Sequence, residues 1–138
     1  MTIAIADAEQ YREALEAVLK SHASAPVDLM IVEDVAEWAK GRIGNATGNP
    51  IAMSVVATPS GAWGIVMRRE MSAEQIRGVL DRMVFGGYLN AAELLNEPRK
   101  FLEHLVLHEL AHLQNQWGQE REDDCDEWAF ERAGRAAI

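Results

Sequence analysis

The chain holds one cysteine, Cys125, among 138 residues. No internal disulfide can form, so a reducing compartment, the cytoplasm, is the expected location. Positive charge is also scarce. Lys and Arg number 13 against 22 Asp and Glu, a formal net charge of −9. The only adjacent cations are Arg68-Arg69 and Arg99-Lys100. They cannot form the basic stripe that follows phosphates, so no nucleic-acid partner is expected. No apolar run approaches the ~18 residues that cross a bilayer, so no membrane partner is expected. The opening residues, MTIAIADAEQYREALEAVLK, lack a basic stretch followed by a long apolar one, and no signal peptide is read there. Internal repeats and low-complexity linkers are missing too. What remains is ordinary for a globular protein, 49% hydrophobic and 25% charged. The expectation is a single domain, 1–138, with one modest core.

Periodicity and turn signals give an order of elements. Tyr11, Leu15, Val18 and Leu19 recur at helical spacing within Asp7 to His22. Val27 to Val32 is a short strand after Pro26, and Glu33 to Arg42 reads as a helix ending near Gly44. Gly44 to Pro50 is the clearest loop. Ile51 to Thr58 and Ala62 to Arg68, separated by Pro59-Ser60-Gly61, read as a hairpin. Ser72 with Gln75 forms a capping-box pattern for a helix to about Phe85, stopped by Gly86-Gly87. Asn90 starts a short turn, Ala91 to Leu95. Asn96-Glu97-Pro98 starts a helix to about Gln116, with Gly118 suited to its C-terminal cap. A last helix spans Glu120 to about Ala136. The fold class is α+β, a small sheet with helices.

The chemistry gathers at the C-terminal end. His108-Glu109-Leu110-Ala111-His112 has the form H-E-x-x-H. On a helix, residues at i and i+4 share one face, so both imidazoles can reach one metal ion. Glu109 beside them can take a proton from a water on that metal. Zn²⁺ suits the pattern because it accepts imidazole and carboxylate and can keep one position open. The neighbours Leu105, Val106, Leu107, Leu110, Ala111 and Leu113 suit a helix held in a core.

Two histidines need a third ligand. A compact three-histidine pattern would place it six residues after His112, but Gly118 stands there. An acidic run follows instead. If the two helices form an antiparallel hairpin turning near Trp117, residues whose numbers sum to about 234 lie level. That pairs His112 with Glu122 and His108 with Asp126, the two pairs being about 6 Å apart along the helices. Glu122 can then complete the metal site, while Asp126 accepts the second N–H of His108 and orients it. Glu120, Asp123 and Asp126 are the other candidate ligands.

H-E-x-x-H followed by E-x-x-x-D resembles the gluzincin pattern of zinc metallopeptidases. Glu122-Asp123-Asp124-Cys125-Asp126-Glu127-Trp128-Ala129 is similar to the corresponding string of small members, such as minigluzincins and ImmA/IrrE-type proteins. The resemblance covers about 25 residues. It implies a zincin-like fold, one Zn²⁺ held by His108, His112 and Glu122, Glu109 as general base and acid, and Asp126 as the carboxylate behind His108. It also implies a peptide or protein substrate. Two departures stand out. Only residues 113–121 separate His112 from Glu122, so the turn is tight, and only residues 123–138 follow Glu122. Larger members build substrate pockets and oxyanion donors from that missing region. Tyr88, His104 and Tyr11 are the available donors here.

Plainer readings accompany these. Glu120, Asp123, Asp124 and Glu127 suit the N-terminal end of a helix and solvent. His104 is expected at a polar surface or boundary. Cys125 reads as a small buried residue, and Trp63, Trp117 and Trp128 as packing. The Ala62 to Arg68 strand is either an ordinary hairpin strand or the edge on which a peptide lies. Two alternatives to a peptidase follow. One is a zinc-binding regulatory or protein-interaction module with a latent site. The other is a metal-free α+β domain.

Overall fold

The computed structural model describes residues 3–42 and 50–135. Of the loop expected at Gly44 to Pro50, residues 44–49 lie outside them, and the last helix, expected to reach about Ala136, ends at Arg132. A short 3-10 turn, Ala8–Tyr11, leads into α1, Arg12–His22. Then come β1 (Val27–Val32), α2 (Val35–Lys40), β2 (Ala52–Val55) and β3 (Trp63–Arg68). The helices α3 (Ala73–Phe85), α4 (Ala91–Leu94), α5 (Pro98–Asn115) and α6 (Glu122–Arg132) complete the α+β chain.

The three strands form one mixed sheet in the order β1-β3-β2. β3 runs parallel to β1 and antiparallel to β2. The expected hairpin is present, but β3 is the central strand. The possibility that Ala62 to Arg68 offers a free edge is therefore wrong, because both its edges are paired. The physical reason is its composition. Ile65 and Met67 point into the main core, while Val66 packs with Val35 and Val55 on the opposite face. A strand that is apolar on both faces belongs inside a sheet. Among the described residues the edge strands of the sheet are β1 and β2.

α3 begins with the expected capping box, Ser72 and Gln75 each bonding the other's backbone N–H. α5 is the centre of the molecule. Phe101, Leu102 and every residue from His104 to Ala111 are buried. A helix buried nearly all round takes its stability from packing rather than from one apolar stripe. It lies against α1, β2, β3 and α6, which fixes the side chains it carries.

The turn after α5 departs from expectation. Gly118 is extended, at φ −87°, and caps the next 3-10 turn, Gln119–Arg121. The left-handed residue is Gln116, at φ 56°, and its N–H bonds to the carbonyl of His112. A non-glycine residue there carries strain on the order of 1 kcal/mol. The Trp117 N–H also reaches the His112 carbonyl, at 3.1 Å. The chain thus reverses one residue after α5 ends, earlier than a glycine cap at 118 would allow, and α6 folds back along α5.

Candidate metal centre

The α5–α6 hairpin brings His108, His112, Glu122 and Asp126 together. Glu122 Oε1 lies 2.7 Å from His112 Nε2, and its Oε2 lies 3.3 Å from His108 Nε2. One carboxylate therefore spans both imidazoles. Asp126 Oδ1 lies 2.7 Å from His108 Nδ1, and His112 Nδ1 lies 2.8 Å from the Trp117 carbonyl oxygen. A carboxylate and a carbonyl only accept, so both Nδ1 atoms carry hydrogen. By the same rule each Nε2 that faces Glu122 carries hydrogen too. Loss of those Nε2 protons gives the neutral tautomer in which both histidines present Nε2 as a ligand.

His104 differs from expectation. It is fully buried rather than at a surface or boundary. Its ring packs on Phe130, centroids 4.4 Å apart, and its Nε2 lies 2.8 Å from the same Asp126 oxygen. Cys125 is buried as expected. Its sulfur and one donor atom on each of His108 and His112 lie within 4.8 Å of one another.

The electrostatics follow from this crowding. Burial opposes charge on His108, but hydrogen bonds to Asp126 and Glu122 outweigh it and raise its pKa well above the usual histidine value. Hydrogen bonds to Cys125 and Glu122 push His112 up to about 10. Burial would raise the two carboxylates, yet the imidazoles hold Glu122 well below the usual range and Asp126 at about 2. Burial also dominates at Glu109, whose pKa is raised, and at His104, whose pKa is lowered.

These groups floor a cleft of about 990 Å³. One wall is β2 with Pro50 and Ile51, and the other is the α3 face bearing Val79, Arg82 and Met83. Glu109 lines it, as do Trp117, Gln119 and Asp123. Nothing in the α3 pattern singled these wall residues out, because an amphipathic helix only says which face is covered. Tyr88 and Tyr11 do not line the cleft. The Tyr88 hydroxyl donates to the Asp123 carbonyl at 2.7 Å, and burial with nearby acids pushes its pKa up to about 12. His104 lines the cleft, but its Nε2 already bonds Asp126. Of the three, His104 alone lines the cleft. Trp128 is buried, and Trp63 and Trp117 pack against the core.

The donor set fits a divalent cation. One carboxylate reaches both imidazole Nε2 atoms, through a different oxygen to each, and both rings are held from behind. That is a composition that zinc accepts while keeping a position open. No protein-family model matches the chain, and no curated protein or solved structure matches it significantly. Among the described residues, no helix is long and apolar enough to cross a membrane.

Proposed function

We propose that the protein is a zinc-dependent peptidase of zincin-like fold, with His108, His112 and Glu122 holding one Zn²⁺. The observation that carries this reading is the convergence of His108 Nε2 and His112 Nε2 on Glu122, with both Nδ1 atoms tied down. Zn²⁺ bound there would supply a Lewis acid and lower the pKa of a coordinated water to roughly 7. Glu109 lies on the same helix and lines the cleft. Its carboxylate would take a proton from the attacking water and return it to the leaving amine. A pKa raised by burial suits that exchange, since a base works best near the operating pH. The free edge of β2 forms the cleft wall and could pair with an extended peptide.

The test is metal content together with proteolysis by wild type and Glu109→Gln. The expected result is one zinc per chain in both proteins. Proteolysis should fall about 10²–10⁴-fold in the variant, the usual worth of a general base. A wild type that takes up no zinc, or a variant with undiminished proteolysis, would sink the reading.

A second reading is favoured by Cys125, whose sulfur lies within reach of both histidines. If it joined the ligands, the site would have four protein donors and no open position, as in structural zinc sites. The protein would then be a zinc-stabilised regulatory or interaction module. Cobalt substitution separates the two. A thiolate-to-cobalt charge-transfer band, lost in Cys125→Ala, would favour the closed site.

A further inference from the structure

His104 has no obvious reason to be where it is. Its imidazole is fully buried against Phe130, and its Nδ1 has no hydrogen-bond partner among the described residues. A buried polar atom left so costs stability that an apolar side chain of similar size would keep. Such a group in a well-packed core calls for a compensating role.

The role is readable from its other nitrogen. His104 Nε2 and His108 Nδ1 approach one oxygen, Asp126 Oδ1, at 2.8 Å and 2.7 Å. A carboxylate only accepts, so each nitrogen donates a hydrogen. With His108 alone, Asp126 could swing about its side-chain torsions and carry the ring with it. The second donor comes from one turn earlier on α5 and holds the same oxygen from another direction. Asp126 is itself buried, so water does not readily replace that donor.

We propose that His104 is a positioning residue that holds Asp126, and through it His108, in the orientation that binds metal. The proposal rests on the metal reading above, and it gives the buried imidazole a function without contact to metal or substrate.

The experiment measures Zn²⁺ dissociation constants by chelator competition, with thermal melts of the metal-free proteins. The set is wild type, His104→Leu, His104→Phe, His104→Gln, Asp126→Asn and the double variant His104→Leu/Asp126→Asn. Outer hydrogen-bond partners of ligating histidines are worth 10–100-fold in affinity, and His104→Leu should lose about tenfold because it acts through one intermediate. His104→Phe carries the same expectation in case leucine disturbs the core. His104→Gln, whose amide nitrogen can still donate to Asp126, should restore most of the affinity. On the Asp126→Asn background, His104→Leu should cost nothing further. Metal-free melts show that each variant is folded, so that a lost affinity reports the site and not the core. Tight wild-type binding with no loss in His104→Leu or His104→Phe would overturn this proposal alone. So would an equal loss on both Asp126 backgrounds. A wild type that binds no Zn²⁺ would overturn the metal reading and this proposal with it.

Discussion

The two histidines of the site are held by opposite means. At the turn end of the α5–α6 hairpin, His112 donates to the backbone carbonyl of Trp117, five residues away. That carbonyl is placed by a left-handed residue, Gln116. At the interior end, His108 donates to Asp126, eighteen positions away, which His104 also holds. One support is local, made of backbone and turn strain. The other is tertiary, made of buried side chains packed across two helices. Glu122 joins the two ends. The difference teaches that one metal site can be oriented both by chain geometry and by a buried polar network, and that the two should fail in different ways.

The largest effect should come from cutting the bridge. Glu122→Ala removes the carboxylate that spans both Nε2 atoms, so both ends lose their common partner. Removing a ligand should exceed the 10–100-fold typical of outer partners in metal affinity. Chelator competition checks this, and affinity within tenfold of wild type would show that the third donor is another group. Asp126→Asn breaks only the interior end. It should weaken metal binding 10–100-fold while leaving the His112–Trp117 contact in place. A ¹H–¹⁵N spectrum should show His108 changing tautomer and His112 unchanged.

Acid should probe the carboxylates of the site and alkali its imidazoles. The folded pKa of Asp126 is about 2, below the ordinary 3.8. Its contribution to stability is therefore complete above the ordinary value and lost as pH falls toward about 2. His112 is the reverse case, raised from 6.5 to about 10. In the metal-free protein its contribution is complete below pH 6.5 and lost as pH rises through about 10. His108 is raised as His112 is, and Glu122 lowered as Asp126 is, so the acid limb of the metal-free stability profile reports the two carboxylates and the alkaline limb the two imidazoles. Zinc must displace the His112 proton, so affinity should rise with pH up to about 10, by roughly tenfold per unit for each proton released. Melts and chelator titrations at a series of pH values give both curves. A pH-independent affinity would show that His112 is not a ligand.

The same contrast explains what could be read from sequence. His112 with Glu122 and His108 with Asp126 could be paired from numbering alone, because helical rise is fixed and a short turn leaves little choice of register. His104 could not. Its spacing from His108 shows which face of α5 it occupies, but what covers that face is Phe130 and Asp126, which come after the turn. Burial of that kind is a tertiary fact. The central place of β3 was partly legible, since Ile65, Val66 and Met67 are apolar on both faces, but the hairpin pattern drew attention to pairing with β2 alone. The cap at Gly118 followed propensity, and propensity lost. The chain reverses at Gln116, where the Trp117 carbonyl meets His112.

That strained position gives the smallest expected effect and the sharpest separation of the ends. Glycine occupies left-handed backbone without a Cβ penalty, but it also loses more freedom on folding. Strain on the order of 1 kcal/mol is relieved in Gln116→Gly, and part of it is offset by that entropy. The net gain should be about 0.5 kcal/mol, near 2 °C in melting temperature for a chain of this size. The Trp117 carbonyl should stay on His112, so zinc affinity should not change. If affinity fell while stability rose, the strain itself would be setting the His112 ring. The turn would then be a tuned part of the site rather than a way of closing the hairpin.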